Sequence, residues 1–167
     1  MDLWRYAQHL FHSLGELSLA RGDGDQALAY ADECLALAEP ASHRKNAVKG
    51  RRLRAQVFLA QGRFEDAERE IRKALDTAKA IGNPPQLWKT HMTNAELMRR
   101  GGRPGAARAS LVEAARVIEE VCASLPVELG RTLVESEAAA RIRRELDSPE
   151  AEEGSRLRAS RTPAERS

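Results

Sequence analysis

Small and apolar side chains return along this chain at a fixed interval of 40 residues. Gly22, Gly62 and Gly102 form one set, Ala27, Ala67 and Ala107 a second, and Cys34, Ala74 and Ala114 a third. Gly15, Ala55 and Ala95 keep the same spacing. So do the apolar Ala31, Ile71 and Leu111 and, more loosely, Ser18, Phe58 and Met98. Self-similarity at a fixed period of this size marks a stack of near-identical units, each packed mainly on its neighbours.

Each unit predicts two antiparallel helices. The first pair spans residues 2–20 and 25–38, with Gly22 and Gly24 between them. Glycine suits such a turn because a positive φ costs it nothing. Pro40, Ala41 and Ser42 break the chain, with Ser42 as the expected N-cap of a third helix running to residue 61. A fourth helix covers residues 65–80. Gly82, Asn83, Pro84 and Pro85 then make the sharpest break, and Pro85 fits the first turn of a fifth helix over residues 86–100. Gly101, Gly102, Arg103 and Pro104 turn the chain into a sixth helix, starting near Pro104 and reaching residue 123, and Pro126 opens a seventh over residues 126–146. The next turn glycine would fall at 142, where the chain has Ile142, so the last unit is half a repeat and reads as a cap. The units are 2–41, 42–81 and 82–125 with a cap at 126–146, together one helical domain over 1–146.

Residues 147–167 differ in kind. Leu157 is their only large aliphatic, among Glu, Arg, Ser, Ala and Pro, so the expectation is a disordered polar tail. Composition supports the helical reading. Aromatics are 4% of the 167 residues, and the apolar 42% is dominated by helix formers. The fold class is therefore all-α.

The pattern Leu14-Gly15, Gly22, Ala27, Cys34-Leu35, with Phe11 in the first large position, resembles the tetratricopeptide repeat. Ala55, Phe58, Gly62, Ala67, Ala74 and Leu75 match in the second unit, and Ala95, Met98, Gly102, Ala107, Leu111 and Ala114 in the third. Arg54 and Asn94 depart where the consensus has Leu. The resemblance implies a right-handed α-α superhelix whose first helix in each unit lines a concave groove. The longer period, with Leu3-Trp4-Arg5-Tyr6 and the stretch from Gly82 to Lys89, looks like the C-terminal helical arms of bacterial MalT-like and ATPase-linked signalling regulators.

Carried over position by position, the groove would hold His9, His12 and Glu16 from unit one, Lys49, Arg52 and Gln56 from unit two, and Lys89, Met92, Glu96 and Arg99 from unit three. A carboxylate clamp of the chaperone-binding kind is not expected, because His12 and Glu16 stand where Lys and Asn belong. His9, His12 and Glu16 are spaced so that they could ligate a metal, but a polar groove face needs no cofactor, and none is expected. The glycine-rich Gly101–Gly105 stretch lacks a phosphate-binding Lys-Ser/Thr pair and reads as a helix stop. Trp4 and Trp88 read as apolar anchors, with Trp88 expected to pack on the preceding unit.

Charge narrows the partners. The net +2, from 27 basic and 25 acidic residues, gives no general pull towards nucleic acid or membrane. The local exception is the face of Lys45, Lys49 and Arg52, which suits an acidic segment. Cys34 and Cys122 make no disulfide framework or zinc cluster, and Cys34 reads as a buried reduced thiol. With no apolar run of membrane length and no signal peptide, the expected location is cytoplasmic. The functional expectation is a non-catalytic scaffold that binds a peptide or partner domain. The alternative is the regulatory arm of a larger signalling ATPase, cyclase, kinase or transcription regulator.

Overall fold

A computed structural model describes residues 3–148, with side chains from residue 6 onward. All but the first two residues of the expected polar tail, and the side chain of Trp4, lie outside the described residues. Those described form eight helices and no strand. They are α1 (Leu3–Ala20), α2 (Gly24–Ala38), α3 (Arg44–Ala60), α4 (Phe64–Ala80), α5 (Pro84–Arg100), α6 (Pro104–Ser124), α7 (Val127–Val134) and α8 (Glu137–Leu146). Consecutive helices pack as tight pairs, giving an all-α solenoid of tetratricopeptide type.

The turns are more regular than the unit repeat requires. Helices α2 to α6 begin at residues 24, 44, 64, 84 and 104, so each of α2 to α5 with its turn occupies 20 residues. Two residues before each start the backbone is left-handed: φ is 81° at Gly22, 56° at Ser42, 74° at Gly62, 58° at Gly82 and 69° at Gly102. The following N–H then reaches back five residues. Asp23 donates to the Ser18 carbonyl at 2.9 Å, His43 to Ala38 at 2.8 Å, Arg63 to Phe58 at 2.8 Å, Asn83 to Ala78 at 3.3 Å and Arg103 to Met98 at 2.8 Å. This is the 6→1 bond of a Schellman ending, repeated at all five turns. It corrects the expected role of Ser42. Ser42 supplies the left-handed turn residue, and His43 is the N-cap, with no side-chain capping bond.

The recurring small residues sit where helices meet. Ala27, Ala67, Ala74, Ala95 and Ala114 have no exposed surface, and Ala55 and Ala107 are buried. Ala55, Phe58, Leu59, Ala67, Ile71, Leu97, Met98 and Ala107 make the central core of α3 to α6. A polar lock joins the first three helices. Gln8 donates to the Leu37 carbonyl at 3.2 Å and accepts from Asn46 Nδ2 at 2.6 Å, and its amide lies 2.8 Å from His43 Nδ1.

The cap differs from the single helix expected. It breaks at Glu135 and Ser136, where the Ser136 hydroxyl accepts from the Ala139 N–H at 3.4 Å and starts α8. Ala139 and Ile142 of α8 pack on Ala114 and Ile118 of α6, with Trp88 and Met92 against them. Trp88 therefore anchors to the elements that follow it. Register explains the correction: position 88 repeats position 48, and Val48 likewise packs forward, on Ala74 and Ala78 of α4. The neighbouring Leu87 faces back to that cluster instead.

Candidate functional site

Three helices and one arginine enclose a concave groove of about 890 Å³. Its walls come from α1, α3 and α5, the first helix of each pair, and Arg141 of α8 closes one end. Because the walls repeat every 40 residues, the lining falls into rungs. His12, Arg52 and Met92 form one rung, Glu16, Gln56 and Glu96 a second, and Lys49 and Lys89 part of a third.

Eight of the residues expected in the groove line it: His12, Glu16, Lys49, Arg52, Gln56, Lys89, Met92 and Glu96. His9 and Arg99 do not. His9 lies exposed at the rim, its Nδ1 3.2 Å from Lys49 Nζ. Arg99 turns to the cap, where Nη1 meets Glu145 at 3.1 Å. The groove also includes Lys45, Gln86, Thr93, Arg100 and Arg141, which the repeat alignment did not place there. Lys45 was legible as part of the α3 cationic face. Arg141 was not, because α8 has no counterpart in the repeat.

Among the described residues six cationic side chains line the groove (Lys45, Lys49, Arg52, Lys89, Arg100 and Arg141), against two carboxylates, Glu16 and Glu96. Both carboxylates are engaged. Glu16 Oε1 lies 3.3 Å from His12 Nε2. That hydrogen bond, with the charges of His12, Arg52 and Lys89, holds the Glu16 carboxyl below its ordinary range, although burial pushes the other way. Glu96 accepts from Arg100 Nε at 2.6 Å and also pairs with Arg99.

The lysines and Arg52 carry the excess. Burial, then repulsion from Lys45, Arg52 and Lys89, pushes the Lys49 amine below its ordinary value. Arg52 is 5% exposed and donates from Nη1 to Gln86 Oε1 at 2.8 Å, tying α3 to α5. Burial lowers its guanidinium from the ordinary value, with Glu16 opposing. Like charges held this close gain by accepting a counter-charge. His12 is buried beside them, and its Nδ1 has no hydrogen-bond partner among the described residues.

Among the described residues no cluster of three or more His, Cys, Asp or Glu could hold a metal ion. Cys34 has no exposed surface and is not among the groove-lining residues; its one S–H has the Gln8 and Asn46 carbonyls within reach, 3.5 and 3.7 Å from Sγ.

A tetratricopeptide repeat family model matches residues 6–82, from α1 through α4 to the turn that follows. The match supports a repeat protein of that type, a class that generally mediates protein–protein interaction. No curated protein matches the chain. Among the described residues no helix is long and apolar enough to cross a membrane.

Proposed function

We propose that the chain is a non-catalytic interaction module whose groove takes an acidic peptide or an acidic surface of a partner protein. The observation that carries this reading is the excess of cations over carboxylates on regularly spaced rungs of one concave wall. An extended acidic segment laid along the groove would meet Lys45 and Lys49 on α3, then Lys89 on α5, then Arg141 at the cap. Among the described residues the lining has no phenyl, phenol or indole ring on which bases could stack, so nucleic acid fits it poorly.

The test is titration of a fluorescent acidic peptide, such as a Glu/Asp-rich 12-mer, at low and high salt. A Lys49→Glu/Lys89→Glu variant should weaken binding at least about tenfold while leaving helicity intact, because charge reversal at a complementary site changes attraction to repulsion. High salt should weaken the wild-type complex, since exposed charges are screened within about 8–10 Å. Equal affinity for both proteins at both salts would remove the electrostatic mechanism. Arg52 is unsuited to this test, because its burial makes Arg52→Glu a folding defect first.

The 40-residue unit favours a second reading, the regulatory arm of a bacterial signalling ATPase or transcription regulator of the MalT kind. Its support is the length of the repeat. Co-purification with such an ATPase, and a change in its turnover on adding the chain, is the outcome this reading requires.

A further inference from the structure

Residues 147–153 carry the charge that the groove lacks. They hold four carboxylates, Asp147, Glu150, Glu152 and Glu153, and no cation. The stretch that follows is opposite in sign: residues 154–167 hold Arg156, Arg158, Arg161 and Arg166 against Glu165 alone. Among the described residues the groove has six cations against two carboxylates, and both carboxylates are already engaged, Glu16 by His12 and Glu96 by Arg100. Such a wall attracts the first stretch and repels the second.

The cap delivers the acidic stretch to one end of the groove. Helix α8 gives Arg141 to the groove wall and ends at Leu146, about 8 Å further along its axis. Its last turn is fixed against α5, where Glu145 meets Arg99, the neighbour of groove-lining Arg100. Ser148 and Arg99 border one hollow, so the chain leaves the cap beside the end of α5. Lys89 lies about 17 Å back along α5 from Arg100. The five residues from Ser148 to Glu153 reach about 17 Å when extended. The acidic stretch is therefore long enough to run from Arg141 and Arg100 to Lys89.

We infer that residues 149–153 of this chain occupy its own groove, Glu150 meeting Arg141 and Arg100 and Glu153 meeting Lys89, with the basic stretch from Arg156 left outside. The inference rests on the reading of the groove as a site for acidic segments. A segment tethered this closely competes at an effective concentration in the millimolar range. An acidic peptide from outside must displace it, so the full chain binds such a peptide more weakly than its groove would with the three glutamates neutralised.

Two measurements on the full chain test this. The first is affinity for the Glu/Asp-rich 12-mer at low salt. Glu150→Gln/Glu152→Gln/Glu153→Gln should tighten binding about tenfold or more, and Glu165→Gln should leave it unchanged. The second follows the methyl signal of groove-lining Met92 by NMR in a Cys122→Ser/Ala151→Cys chain with a nitroxide attached at position 151. Cys34 is buried and stays unlabelled. The nitroxide should broaden the Met92 signal at low salt, and about 1 M salt or the three Glu→Gln substitutions should restore it. Equal, measurable affinities of wild type and the triple variant overturn the docked segment and leave the proposed function standing. If neither protein binds the 12-mer, the proposed function falls, and the Met92 signal decides the docked segment by itself. A Met92 signal that stays sharp at low salt, or stays broad after the three substitutions, overturns the inference. A gain from Glu165→Gln as large as the triple variant's overturns the placement of residues 149–153.

Discussion

Gly50 sets how closely α2 and α3 lie. A Cβ placed there would fall 2.8 Å from Leu35 Cγ, a branch carbon in a buried side chain. Gly50→Ala should therefore destabilise the protein by about 1–3 kcal/mol, seen as a lower urea midpoint with little change in slope. An unchanged midpoint would mean that α2 and α3 can separate freely. Cys34 offers a second test at this scale. Burial pushes its thiol from an ordinary value of 9.0 up to about 11. The folded thiol holds its proton where the unfolded one loses it, so its contribution is complete below pH 9 and declines as pH rises towards 11. Ellman's reagent at pH 8 should label half-buried Cys122 first and Cys34 only on unfolding. Equal labelling rates would contradict the burial. By the 40-residue spacing alone, Arg52 and Lys49 are equally groove surface. Burial separates them, because Arg52 alone reaches across to Gln86, a partner 34 positions along the chain that spacing cannot name.

At the scale of the element, the five equivalent turns make a sharp comparison. Four use glycine for the left-handed position and one uses serine, Ser42. A side chain there costs about 1–2 kcal/mol, against which glycine's extra unfolded-state entropy offsets part. Ser42→Gly should raise stability by roughly 0.5–1 kcal/mol, and Gly62→Ser should lower it by a similar amount. If both were neutral, the turns would not be equivalent. The helix pairs were legible in advance because glycine and proline punctuate the chain where the backbone needs them. Ser42 misled because serine is a common N-cap, and its neighbour His43 carries no capping signal. The break between α7 and α8 was missed for the opposite reason. No glycine or proline marks it, only Ser136 before Glu137, and Val134 and Leu133 continue an apolar pattern up to the break. The lock of Gln8, His43 and Asn46 left no periodic trace at all.

Over the whole molecule, stability should depend on how the array ends. The cap covers Ala114, Ile118, Trp88 and Met92, and Arg99 to Glu145 and Arg108 to the Leu146 carbonyl, at 3.1 and 2.8 Å, fasten it. Truncation after Ser124 removes α7 and α8 and should cost about 3 kcal/mol or more, since burying one such side chain contributes about 1.5–3 kcal/mol. Urea unfolding should then begin earlier and spread over a wider range, as the exposed end frays ahead of the centre. A truncated chain as stable as the whole would show that α8 only rests on the array. The groove would also lose Arg141, so acidic-peptide binding should weaken even where the remaining helices stay folded.

The equal turns have an arithmetic consequence. Each of α2 to α5 with its turn is 20 residues long, so excising one would leave every remaining joint well formed. The faces would not survive. Lys49 and Arg52 belong to odd-numbered helices, and a single excision would exchange odd for even beyond the cut, turning charged groove walls to the outside and acidic α4-type helices inward. Such an array tolerates lengthening or shortening only by two helices at a time. Its joints count in twenties, but its chemistry counts in forties.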